Sequence, residues 1–183
     1  MVFERLFKGR RQSRPAEAVY EAIVAQARHP AFYTDYGVAD GFEERFDLLV
    51  LHVHLVVRHL TRAGAGDRAQ ALFDAMFFDM DRSLRAIGVG DMSVGKRVKD
   101  MVRAYYGRTA AYDSALQESA DDALAVTLHR NIFGADAAAG SAPGEGPSRL
   151  ARQVRATVAE LTAQPVDDIA AGRIRFPDPR STP

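Results

Sequence analysis

The sequence predicts an all-α protein, a single bundle of about six helices built around a central antiparallel helical hairpin. Three observations predict it. Apolar residues recur at spacings of three and four along most of the chain, which is the repeat of an amphipathic helix. Gly and Pro fall between these stretches at positions where they end helices. No segment alternates apolar and polar residues convincingly enough to read as a strand.

Length and composition bound the rest. A chain of 183 residues suits one domain, with a small appendage at most. It can bury roughly 70% of its unfolded surface, so a substantial core is available. Formal net charge is zero, so there is no global attraction to nucleic acid and any such attraction must be local. With no cysteine, disulfides and thiol or thiolate-metal chemistry are excluded. No apolar run reaches the roughly 18 residues of a membrane-spanning helix, and the N-terminus lacks the apolar centre of a signal peptide.

Residues 1–14 form a basic tail. Arg5, Lys8, Arg10, Arg11 and Arg14 are opposed only by Glu4, and Phe3, Leu6 and Phe7 add apolar contacts. This segment reads either as a weak membrane-surface anchor or as a frayed end. The first helix starts at Pro15, which suits a first helical position, and stops near Pro30, because the residue before proline avoids α geometry. A loop over residues 30–40 holds Phe32, Tyr33 and Tyr36, rings that fold onto a core or edge a binding surface.

A second helix over residues 41–63 carries Phe42, Phe46, Leu49, Val53, Val56 and Leu60 at helical spacing, with Leu48, Leu51, Leu55 and Val57 widening the stripe. A helix apolar on most sides belongs at a bundle centre. Arg45, His52 and His59 form one polar line along it, and Asp47, His54 and Arg58 another. The histidines do not suggest a metal site. His52 and His54 point apart, His52 and His59 lie two turns apart, and no HExxH motif accompanies them.

After Gly64 and Gly66, Asp67 is placed to cap the third helix. Its stripe is Phe73, Met76, Phe77, Met80, Leu84 and Ile87. A tight turn at Gly88–Gly90 leads to a fourth helix, capped by Asp91 or Ser93, with Val94, Val98, Met101, Tyr105, Tyr112 and Leu116 inward and Lys96, Lys99 and Arg103 on the opposite face. These two helices, over residues 70–116, are the expected central hairpin. Gly90 to Lys96 matches the first seven positions of a phosphate-binding loop. However, Arg97 stands where Ser or Thr must hold magnesium, and a helix precedes the loop where a strand should, so the match is a decoy.

A fifth helix over residues 120–133 has Ser119 as its expected cap and Gly134 as its stop, with Leu124, Leu128 and Ile132 inward. Residues 135–147 are small, Gly- and Pro-containing, and read as a flexible linker or loop. The last helix, over residues 148–163, carries Leu150, Val154, Val158 and Leu161. Ile169, Ile174 and Phe176 are placed to staple the tail to the bundle before proline-rich disorder. The expected organisation is therefore a tail at 1–14, a helical domain at 15–134, a linker at 135–147 and a C-terminal helix with tail at 148–183 packing on the bundle.

The hairpin also carries a resemblance. Phe77, Asp79, Met80, Asp81, Leu84 and Arg85, then Gly88-Val89-Gly90-Asp91, then Val94, Lys96, Lys99, Met101, Tyr105-Tyr106-Gly107-Arg108 and Tyr112, with Phe46 and His52 upstream, match in order. Together they resemble the ubiquinol–cytochrome c chaperone family of cytochrome bc1 assembly factors, over about residues 15–134. The resemblance implies an all-helical, non-catalytic protein that binds newly made cytochrome b. Mitochondrial relatives also contact the ribosome near the tunnel exit and bind a small partner protein. The absence of an evident presequence favours a bacterial cytoplasmic protein, peripheral at the inner membrane, over one of the mitochondrial matrix.

The residues themselves set what a partner site needs. Phe78 lies off the main stripe among Asp74, Asp81, Arg82 and Arg85, as a contact residue would. The candidate partner-binding residues are Lys96, Lys99, Arg103, Phe78, Arg82, Arg85, Tyr106 and Arg108. The candidate membrane-surface residues are Phe3, Arg5, Phe7, Lys8, Arg10 and Arg11. No catalytic motif, metal, cofactor or small-molecule substrate is expected. The expected partners are a cytochrome b client, the ribosome, and a membrane surface reached by the N-terminus. The alternative reading is a helical regulatory or ribosome- and RNA-binding module with no client, resting on the Lys96 face.

Overall fold

The computed structural model describes residues 13–134 and 142–182. Among them the helices are α1 (Arg14–Ala27), α2 (Ala31–Thr34), α3 (Phe42–Arg62), α4 (Gly66–Ala86), α5 (Asp91–Ala115), α6 (Asp121–Ile132), α7 (Glu145–Thr162) and α8 (Val166–Ala170), with a 3-10 turn at Pro179–Ser181 and no strand. The protein is all-α.

The middle belongs to α3, which packs against α1, α4, α5, α6 and α7. Leu48, Val50, Leu51, Val53 and Val56 are all fully enclosed, which requires neighbours on every side of this helix. The α4–α5 hairpin covers one flank of α3, and the α6–α7 pair covers another. Between α4 and α5 the chain reverses at Gly88, whose φ of 84° favours glycine.

Several local expectations change. The polar lines on α3 are partly drawn inward: Asp47, His52 and His54 are buried and Arg58 and His59 half-buried, because neighbours enclose the middle of the helix, while Arg45 near its start stays exposed. Side chains of α5 offset part of the burial of Asp47 and His54. Arg108 meets Asp47 at 2.9 Å, and His54 and Arg58 meet Asp113 at 3.2 and 2.9 Å. Phe42 and Ile87, expected on inward stripes, are exposed. Each lies at a helix end, past the last neighbour able to cover it.

The expected side-chain caps of the later helices are not made. Gly66 already belongs to α4, so Asp67 lies in its first turn, where its charge favours the helix dipole. Asp91 pairs with Arg85, and Gly90 takes the cap position of α5. Ala120 takes it for α6, in place of Ser119, and Asp121 and Asp122 put negative charge into the first turn. The residues around α2 fold their rings inward: Phe32 and Tyr36 are in the core, and Tyr33 donates from its hydroxyl to the Ala27 carbonyl at 3.3 Å.

The last helix begins at Glu145, three residues before the expected start at 148. Gly146 lies against the chain just after α2, where a Cβ would collide with the Tyr36 carbonyl oxygen, so the close approach requires glycine. The tail is a further correction. Instead of trailing into disorder, it runs ordered to Thr182. Ile169 is buried, and Ile174 and Phe176 pack on the core. Buried polar side chains capture its main chain, a feature that composition does not reveal.

Candidate functional site

Where α1, α3 and α4 converge with the α4–α5 turn, the surface opens into an apolar groove of about 170 Å³. Phe46, Leu49 and Leu84 form its buried floor. Val24, Met80 and Met101 are half-buried in its walls, and Phe42 and Ile87 stand at its mouth, 68% and 69% exposed. Two methionines give such a surface adaptable, polarisable walls. Charged groups mark the rim. Arg45 pairs with Asp40 at 2.6 Å and lies over the Tyr33 ring at 5.5 Å, and Arg28 lies nearby.

On the opposite rim Asp79 accepts from the Tyr20 hydroxyl at 3.0 Å and pairs with Arg82 at 2.9 Å. Burial, then the Asp79 charge, pushes the Tyr20 hydroxyl well above its ordinary range, so it stays a neutral donor. The arrangement can hold apolar side chains of a second chain.

A wider hollow of about 670 Å³ lies between the start of α1, the end of α3, the start of α4 and α8. Its walls are mainly small residues, and its charges at Arg68 and Asp167 are already paired at 2.5 Å. It lacks exposed large apolar side chains, so the groove is the better candidate. Among the described residues no group of three or more His, Asp or Glu side chains is arranged to hold a metal. No helix among them is long and apolar enough to cross a membrane. His52 is fully enclosed, its Nδ1 2.7 Å from the Leu48 carbonyl oxygen. Burial lowers its pKa to about 4, so the imidazole is neutral at pH 7 with Nδ1 donating.

The residues singled out in the sequence do not come together in one place. Lys96, Lys99 and Arg103 are exposed along α5, Arg103 pairing with Asp100 at 2.9 Å. Phe78 is half-exposed on α4, the helix that also carries Arg82 and Arg85, and Arg85 pairs with Asp81 at 2.7 Å and with Asp91. Tyr106 is largely exposed and stands edge-on to Tyr105, near Phe73 of α4. Arg108 is apart from these, turned inward to Asp47. Phe3, Arg5, Phe7, Lys8, Arg10 and Arg11 lie outside the described residues.

Sequence reasoning missed Phe42, Ile87, Arg28 and Arg45 as groove residues. The two large apolar residues fitted inward stripes, and only the packing shows that those stripes outrun their neighbours. A sequence signal was present in Met80 and Met101, which share the hairpin's inner faces.

The family described as ubiquinol-cytochrome C chaperone matches over residues 34–176, so the likeness runs past residue 134 to include α7 and α8. A crystal structure described as the Cbp3 homolog from Brucella abortus is similar at 33% identity and a TM-score of 0.78, covering 100% of this chain and 98% of that chain. No curated protein matches.

Proposed function

The chain belongs to the ubiquinol–cytochrome c chaperone family, and from that premise we propose that it is a non-catalytic chaperone that binds newly made cytochrome b during assembly of the bc1 complex. The observation that carries the reading is the match over residues 34–176. The groove supplies the physical means. An unassembled membrane protein exposes apolar segments, and partly exposed apolar walls at Phe42, Ile87, Met80 and Met101 can cover one such segment. The client is bound and released unchanged, so no catalytic group is needed.

Lys96, Lys99 and Arg103 favour a second, electrostatic contact. Their charges are exposed on the outer face of α5, suited to an acidic surface on the client or on ribosomal RNA.

The test combines deletion and capture. Deleting the gene lowers cytochrome b and the bc1 complex while unrelated membrane complexes stay at normal levels, and the tagged protein recovers cytochrome b from its own cells. Phe42→Asp with Ile87→Asp places charge at the groove mouth on side chains that are already exposed. This double variant keeps its helical content and recovers at most one-tenth as much client. Normal bc1 levels in the deletion strain overturn the functional reading. Undiminished client recovery by the double variant overturns the groove.

A further inference from the structure

The turn joining α4 to α5 carries apolar side chains out of the core. Ile87 is 69% exposed, and Met92, in the first turn of α5, is 98% exposed. No other large apolar side chains among the described residues are as bare. Between Arg85 and Lys96 the chain carries one charge, Asp91, and Arg85 holds it. The turn satisfies its own backbone: the Gly88 amide donates to the Arg85 carbonyl and the Val89 amide to the Leu84 carbonyl, both at 3.0 Å. Cations follow directly behind. Lys96 and Lys99 come four and seven residues after Met92, on the same face of α5, with Arg97 on the flank, and all three are exposed. The one acid between Met92 and Arg103 is Asp100, which Arg103 holds at 2.9 Å.

We propose that this tip is a docking site for an anionic bilayer surface, with Ile87 and Met92 entering the interface and Lys96, Arg97 and Lys99 meeting lipid phosphates. The spacing fits. At a rise of about 1.5 Å per residue, the two lysines lie roughly 6 and 10 Å behind Met92 along the helix. Apolar groups at a membrane interface sink about 5–10 Å into the headgroup boundary, so Met92 enters while the cations stay at phosphate level, reached by their flexible stems. The pairing of Asp91 with Arg85 removes the bare charge that would oppose entry.

Other partners fit the tip less well. An acidic protein surface or RNA accounts for the cations but not for Ile87 and Met92. RNA is met by cations together with stacking rings, and neither side chain has a ring. Two bare side chains on a turn offer a protein too little area for a stable interface, whereas a bilayer deforms around them. The docking stands on the tip alone, and its use rests on the client reading. Ile87 also stands at the mouth of the groove, so a docked tip brings that mouth to the bilayer surface, where an apolar segment of a membrane protein is handed over.

The test uses the full chain, which contains no Trp. Met92→Trp and, as a reference, Tyr106→Trp each place a single tryptophan at an exposed site of α5, about 21 Å apart along the helix. Both variants are expected to sediment with vesicles of phosphatidylglycerol and phosphatidylcholine, and not with phosphatidylcholine alone. On the anionic vesicles the emission of Met92→Trp shifts to the blue, and brominated lipid quenches it about fivefold more than that of Tyr106→Trp. Ile87→Ser with Met92→Ser, and separately Lys96→Glu with Lys99→Glu, keep the helical circular dichroism and each weaken vesicle binding about tenfold or more. Residues 1–14 are basic too, so the position of the tryptophan decides as well as the binding. Absent binding to anionic vesicles, binding with an unshifted Met92→Trp emission, equal quenching of the two tryptophans, or binding unchanged in either double variant overturns the proposal. An RNA oligonucleotide bound in preference to the vesicles, and bound equally well by the Ile87→Ser, Met92→Ser protein, also overturns it. Vesicle binding requires no client, so its failure leaves the client reading standing, and normal bc1 levels in a deletion strain leave the docking standing.

Discussion

On α3, His52 and Asp47 are both buried, and folding shifts their protonation in opposite senses. Burial lowers His52 from 6.5 to about 4, so between those values the unfolded chain holds a proton that the folded chain does not. Its contribution to stability is complete above pH 6.5 and is lost as pH falls towards 4. Asp47 is pushed up from 3.8 to about 6, chiefly by burial and against the pull of Arg108, so its contribution is complete below pH 3.8 and is lost as pH rises through 6. His52→Leu therefore gains stability relative to wild type as pH falls from 6.5 to 4, while Asp47 titrates in both proteins and cancels in the comparison. Urea titrations across that range check this, and a difference that does not vary with pH counts against it. Arg108→Met has the complementary signature. It strands the Asp47 carboxylate and costs about 3 kcal/mol at pH 7. The cost shrinks by pH 5, where Asp47 is protonated, and a cost as large at pH 5 as at pH 7 would show that the pair is not what Arg108 supplies. His52 was readable as a helical position, but its burial was not, since a histidine on a polar line has the same spacing whether that line faces water or another helix.

At the scale of elements, α5 shows what spacing does and does not reveal. Its inward residues Val94, Val98, Tyr105 and Tyr112 were legible from their repeat and are buried, while Val102, also buried, was not placed on the stripe. The helix contains Gly95 and Gly107, both exposed, with open space where a Cβ would stand. Each Gly→Ala change stabilises by about 0.5–1 kcal/mol, because alanine loses less backbone freedom on folding and meets no neighbour. Thermal midpoints of the single and double variants check this, and additive increases are expected for sites so far apart on one helix. Helix ends were less legible than helix faces. Asp67, Ser93 and Ser119 had the chemistry of caps, yet the cap positions fall to Ala65, Gly90 and Ala120, and an offset of one to three residues leaves those side chains without a capping bond.

For the whole molecule, the charge is balanced overall and uneven locally. Changing Lys96, Lys99 and Arg103 to Glu leaves the thermal midpoint within a few degrees, because exposed charges add little to stability. The same change weakens recovery of client or ribosomes and removes the salt dependence of that recovery, since charges at an interface act mainly on association. Recovery unchanged by a well-folded triple variant would mark the face as merely solvated. The sequence by itself determined that this protein is all-helical and which faces of α3, α4 and α5 carry the core, because helical periodicity is a local property written into residue spacing. Its ordered motifs through Gly88–Asp91 and Tyr105–Arg108 also pointed to the family. Only the tertiary structure decided that Phe42 and Ile87 stand exposed around a groove, that Arg108 turns inward to Asp47, and that the proline-containing tail is held by Gln26, Tyr36 and Gln153. Each of these depends on which neighbour, distant in sequence, covers a given side chain, and periodicity carries no information about that neighbour.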